Sequence, residues 1–168
     1  MRCSFGVPSL RSRAIFPAVH AALASASQHG FRLIHFSVQT DHLHLIVEAS
    51  SRERLIRGLQ GLAGRAARAV NRRLRRQGKV WSSRYHARAL STPREMRNAL
   101  AYVLLNFRKH LRAAPGVDPC SSGPWFDGWS RPPSWGEASR PVAWPRTWLA
   151  TVGWRRAGGP IDPGESPA

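Results

Sequence analysis

Apolar positions recur with a helical period from Ser12 to Gln28, where Ile15, Val19, Ala22/Leu23 and Ala26 share one side and Gly30 supplies a stop. The period then changes to two. In FRLIHFSVQ, the residues Arg32, Ile34, Phe36 and Val38 alternate with Phe31, Leu33, His35 and Ser37, which predicts a strand. Thr40-Asp41 supplies a turn, and HLHLIVE alternates again as the returning strand of a hairpin. Ser51 caps a long helix over about Arg52–Gln77, whose apolar stripe runs through Leu55, Leu59, Leu62, Ala66, Ala69/Val70 and Leu74 before Gly78 ends it. Gly58, Gly61 and Gly64 each weaken that helix by roughly 1 kcal/mol relative to alanine. Close approach of another chain segment and simple tolerance both explain them. VWSSRYHARALS reads as a further strand. Thr92-Pro93-Arg94-Glu95 then opens a capped helix running to about His110, with Met96, Ala99/Leu100, Val103 and Phe107 buried.

The order helix, strand, strand, helix, strand, helix, with at most a stub of strand in front, predicts an α+β fold. It fits a ferredoxin-like sandwich with an antiparallel sheet, packed helices and a truncated first strand, spanning residues 1–111. After Leu111 the periodicity is lost. Residues 112–168 hold six of the seven tryptophans and ten of the thirteen prolines. That texture predicts an irregular tail that wraps onto the domain, its last ten residues loose.

Charge narrows the partners. Lys and Arg number 26 against 9 acids, a net charge of +17. From Arg52 to Arg112 there are seventeen basic residues and only two acids, Glu53 and Glu95, so this third of the chain carries +15 of the total. So one-sided a density needs a polyanion to neutralise it, which points to nucleic acid. Arginine dominates over lysine, which suits forked contacts to phosphate oxygens. Arg54, Arg57, Arg65, Arg68, Arg72, Arg75 and Arg76 of the long helix are the expected DNA-binding residues, with Arg84 and Arg88 beyond it. A membrane partner is not expected, because no apolar run approaches about 18 residues. The opening residues carry no secretory signal, and Cys3 and Cys120 form no CxxC pair, so a reducing cytoplasm is the expected setting.

The chemistry gathers at two places. Positions two apart in a strand face the same side, so His42 and His44 point together and can converge on one divalent ion. Glu48 shares their face and is either an orienting partner or a strand-end charge. Farther on, Asn98, Tyr102, Asn106 and His110 recur every four residues as a polar stripe on the last helix. A phenol one turn from an amide, packed against the hairpin, could share a site with both imidazoles. A tyrosine attacking a phosphodiester beside a metal that polarises its oxygens is sound chemistry.

DHLHLIV followed by AYVLLNFRKH resembles the one-tyrosine HUH transposases, in particular the REP-associated, IS200-like group. KVWSSRYHARAL, WFDGW and TWLATVGWRR are similar to further segments of that group. The resemblance implies Tyr102 as nucleophile, and His42, His44 and Asn106 as ligands of Mg²⁺ or Mn²⁺. The implied reaction cuts single-stranded, hairpin-forming DNA through a 5′-phosphotyrosine and joins the strand to another 3′ end. It leaves monomer and homodimer both open. The alternative is a DNA-binding regulator or transposase relic that no longer cleaves. Tyr85, among Arg84, His86 and Arg88, is expected to pack or touch DNA. A zinc deaminase is excluded by the lack of His-x-Glu and CxxC, and a histidine-triad hydrolase by Ile46 where a third histidine would stand.

Overall fold

The computed structural model describes residues 1–82, 85–107, 116–131 and 139–166. Its two longest helices start where side chains close their open N–H groups. Helix α2 (Arg52–Arg73) begins at Ser51, whose hydroxyl accepts from Arg54 N at 3.2 Å. Helix α3 (Pro93–Leu105) begins with a full capping box: Thr92 accepts from Glu95 N, and the Glu95 carboxylate accepts from Thr92 N and from the amide and hydroxyl of Ser91. Those bonds hold the Glu95 carboxyl at a pKa of about 2. Helix α1 (Phe16–Ala24) is shorter than its apolar period because residues 10–15 form turns and Ser25 closes the far end. Helix α2 likewise stops short of Gln77. Leu74 caps it, and Arg75 turns the chain with φ at 50°.

Strands β1 (Phe31–Val38) and β2 (Leu43–Ala49) form the expected antiparallel hairpin, so the fold is α+β. One detail departs from strict alternation. The register shifts between Leu33 and His35, a bulge that leaves Ile34 without a partner across the hairpin. The side chains therefore change faces midway: Leu33, Phe36 and Val38 pack on one side of the sheet, while Ile34 packs with Ile46 on the other.

The stub before α1 pairs with the start of β2. Leu43 N donates to Met1 O at 2.8 Å and Cys3 N to Asp41 O at 2.6 Å. On its other side Ser4 N donates to Val80 O at 2.8 Å and Ser82 N to Arg2 O at 2.9 Å. The strand expected over VWSSRYHARALS is not found among the described residues. Only Trp81 makes a bridge there, to Cys3, and residues 85–91 are irregular, because the stub is too short to template a longer partner.

Two apolar layers enclose the hairpin. Val19 and Leu23 of α1 with Leu62 and Val70 of α2 cover one face, and Met96, Leu100 and Leu104 of α3 cover the other. Gly58 permits the first contact: a Cβ there would lie 2.2 Å from the Phe31 ring. Gly61 and Gly64 face only the Arg65 and Arg68 side chains of their own helix.

The tail joins the second layer. Trp154, Phe126, Trp129 and Ile161 are buried against α3, and tail residues cover the free edge of β1 through Cys120 O, Ser122 N and Ala143 N. Buried Asp118 receives both Nη atoms of Arg11 at 2.7 Å. As far as residue 166 the tail is held in place: Ile161 is in the core, and Arg97 grips Glu165 through two bonds of 2.8 and 2.9 Å. Among the described residues, no helix is long and apolar enough to cross a membrane.

Candidate active site

The hairpin turn delivers the first two groups. Gln39 N donates to His42 O at 2.8 Å, closing the turn, and Asp41 then lies beside the His42 ring. Asp41 Oδ1 meets His42 Nδ1 at 2.7 Å, and Arg2 Nε binds Asp41 Oδ2 at 2.9 Å. The bond from His42, reinforced by Arg2, keeps the Asp41 carboxyl below the usual aspartate range. A carboxylate at Nδ1 fixes the orientation of the ring and turns Nε2 outward.

There it meets His44. The two Nε2 atoms lie 2.9 Å apart, and the rings stand at 87° with centroids separated by 4.6 Å. Period-two geometry brings the rings to one face, and the turn carboxylate aims the first at the second.

Helix α3 supplies the phenol. Its apolar side, Met96, Leu100, Val103 and Leu104, packs with Ile34 and Ile46 from the same sheet face that carries His44. Tyr102 consequently lies over the hairpin, its ring 5.0 Å from that of His44 and edge-on at 80°. It remains 38% exposed, so the phenol is held at its base and open to solvent. One turn later Asn106 caps α3, its N–H bonded to Tyr102 O at 3.0 Å. Asn106 is only 2% exposed, and its side-chain Nδ2 has no hydrogen-bond partner. An amide left so underused within a core is unusual.

The remaining expected residues separate into groups. Glu48 is engaged away from the histidines: its carboxylate accepts from Arg146 N, Thr147 N and Thr147 Oγ1. Asp41, not Glu48, makes the hydrogen bond to His42. The sequence reading missed it because Asp in a Thr-Asp turn is already explained by the turn. Its place directly before the first histidine was the available signal.

Arg54, Arg57, Arg68 and Arg72 stand exposed on α2 and Arg75 just beyond its end, while Arg65 on the helix and Arg76 beyond it are half-buried. Arg76 is partly used by Gln77 O and Lys79 O, whereas Arg65 Nε and Nη2 lack partners. Because α2 covers the opposite sheet face, the hairpin separates this arginine row from Tyr102. Arg88 is exposed in the irregular segment before α3, together with His86; Tyr85 there is half-buried. Arg84 and His110 lie outside the described residues.

A family model described as "Transposase IS200 like" matches residues 18–104, just over half of the chain. The match takes in most of α1, the hairpin with both histidines, α2 and most of α3 including Tyr102. No curated protein and no solved structure matches the chain.

Proposed function

The chain belongs to the IS200-like transposase family, and from that premise we propose that it cuts and rejoins single-stranded, hairpin-forming DNA with Tyr102 as nucleophile. The observation that carries this reading is the contact of the Tyr102 ring with His44, whose Nε2 lies 2.9 Å from that of His42. The Tyr102 Oη, on losing its proton, forms a bond to the scissile phosphorus, and the bond from phosphorus to the 3′ oxygen breaks. That oxygen takes up a proton and leaves as a 3′-hydroxyl, while the 5′-phosphate stays on Tyr102. Attack by another 3′-hydroxyl reverses the step, restores the phenol and completes strand transfer.

The family is generally metal-dependent, and the donor set fits a divalent ion. The two imidazole Nε2 atoms, 2.9 Å apart, would both be available to one such ion. His42 and His44 would hold Mg²⁺ or Mn²⁺, with Asn106 as third ligand. The ion supplies polarisation of the phosphate oxygens. Asp41 holds the His42 ring in place, as carboxylates do behind metal-bound imidazoles.

The pairing order, with residues 1–4 between β2 and residues 80–82, supports a ferredoxin-like frame with a short first strand. We read residues 1–111 as the catalytic part and 112–168 as a tail packed on it. The α2 arginines would grip DNA on the far face, Arg84 and Arg88 would add further phosphate contacts, and a homodimer would be one way to bring both surfaces to one substrate. The half-buried free thiols Cys3 and Cys120, with pKa values raised by burial, suit a reducing cytoplasm.

Incubation with end-labelled hairpin DNA and Mn²⁺ tests the proposal. A covalent adduct should form, survive denaturation and vanish in Tyr102→Phe. Tight DNA binding with no adduct would instead favour the non-cleaving regulator.

A further inference from the structure

Two tryptophans of the tail stand out from the surface. Trp144 is 62% exposed and Trp148 53%, with Val152 at 47% close by in sequence. Yet neither ring is loosely attached. The Arg140 guanidinium lies 3.7 Å from the Trp144 ring centroid, and is itself fixed by bonds to Trp125 O at 2.7 Å and Val142 O at 3.2 Å. Trp148 backs onto Gly153, where a Cβ would come within 2.7 Å of its ring, and Arg156 lies 5.7 Å from its centroid. Each indole therefore has a supported side and an open side.

The segment that carries them is fastened to β2. Glu48 accepts four bonds, two from Arg146 N, one from Thr147 N and one from Thr147 Oγ1 at 2.7 Å. Thr147 in turn caps the short helix α4 (Trp148–Thr151) that begins with the second tryptophan. Glu48 and His44 lie four residues apart on one strand and share a face, so the clamp sits about 13 Å along the strand from the histidine pair. The acid that would repel a polyanion is consumed by backbone N–H groups. What remains outward is aromatic and basic, with Arg146 and Arg156 exposed beside the indoles.

We infer that Trp144 and Trp148 form a stacking platform for unpaired bases of the DNA strand near Tyr102, with Arg146 and Arg156 for its phosphates. The inference rests on the single-stranded DNA reading above. Rings already fixed in place lose little freedom on stacking, and every base offers a π-face, so the platform is tolerant of sequence.

The test is titration of the full chain with a labelled oligothymidylate of about 12 nucleotides, with an abasic chain of equal charge, and with blunt duplex. Trp144→Ala and Trp148→Ala should each weaken oligothymidylate binding roughly tenfold, and leave abasic and duplex binding unchanged. Trp144→Phe should recover part of the loss, which a merely misfolded tail would not. Equal affinity of the native chain for abasic and normal oligonucleotides would overturn the inference. So would an unchanged affinity in the double variant, or an effect seen only as altered self-association in sedimentation. A Tyr102 adduct that forms while binding ignores the bases sinks the platform alone. Base-dependent binding without any adduct sinks the cleavage reading alone.

Discussion

Asp41 decides which way the first imidazole of the site faces. Its carboxylate meets His42 Nδ1 at 2.7 Å and so turns Nε2 towards His44. Asp41→Asn keeps the shape but replaces a carboxylate acceptor with a weaker, neutral one. Mn²⁺ affinity, measured by calorimetry without DNA, should fall about 10- to 100-fold. His42→Ala should abolish metal-dependent cleavage while DNA affinity in a filter-binding assay is largely retained, since the arginine row is on the other face of the hairpin. Unchanged cleavage would remove His42 from the ligand set. The histidine pair was legible in the sequence because a strand's period of two leaves no choice about which side chains share a face. The partners of Asp41 and Glu48 were not legible. Both acids are adjacent or near in sequence to the same histidine pair, and only the folded turn and the returning tail determine which one bonds a ring.

Among the elements, the three glycines of α2 illustrate how identical residue types carry different constraints. A Cβ at Gly58 would lie 2.2 Å from a ring carbon of Phe31, whose side chain is fully buried and has nowhere to retreat. At Gly64 the nearest atom is Arg68 Nη1 at 3.3 Å, the far end of a flexible side chain. Gly58→Ala should therefore destabilise the fold by about 1–3 kcal/mol through overpacking. Gly64→Ala should stabilise it by up to about 1 kcal/mol through helix propensity. Urea denaturation at neutral pH reads both, and equal shifts in the same direction would contradict the distinction. Element type and order were readable from period and caps: Ser51 and the Thr92/Glu95 box mark helix starts where they occur. The bulge at Ile34 was not, because an alternating run reads the same with or without one unpaired residue. Nor was the failure of residues 85–91 to continue as a strand, since that depends on how far the neighbouring stub extends.

At the scale of the whole molecule, the net charge of +17 sets the strength of polyanion binding. Neutralising several phosphates should make the affinity for DNA fall steeply and log-linearly with salt. A flat response between low and physiological salt would exclude the α2 arginines as the grip.

The tail, whose tryptophans and prolines announced packing but not its location, closes the molecule onto β1, and His35 lies at that closure. It is buried, shares a 3.1 Å hydrogen bond between Nδ1 and Ser122 Oγ, and meets the Phe126 ring edge-on at 5.2 Å. Burial first, and the charge of Arg140 second, push its pKa down from 6.5 to about 3. The folded chain thus keeps His35 neutral, while an unfolded chain binds a proton there below about pH 6.5. The stability associated with a neutral His35 is whole above that pH. It is lost as pH falls towards 3, at up to about 1.4 kcal/mol per pH unit. Carboxylates held low by their partners, such as Asp41, Glu95 and Glu165, also lose stability on acidification, so the His35 share is isolated by difference. His35→Gln should be less stable at pH 7 but lose less on passing from pH 6.5 to 4. Parallel decline of the two proteins in urea titrations across that range would show that the tail closure does not depend on His35 staying neutral.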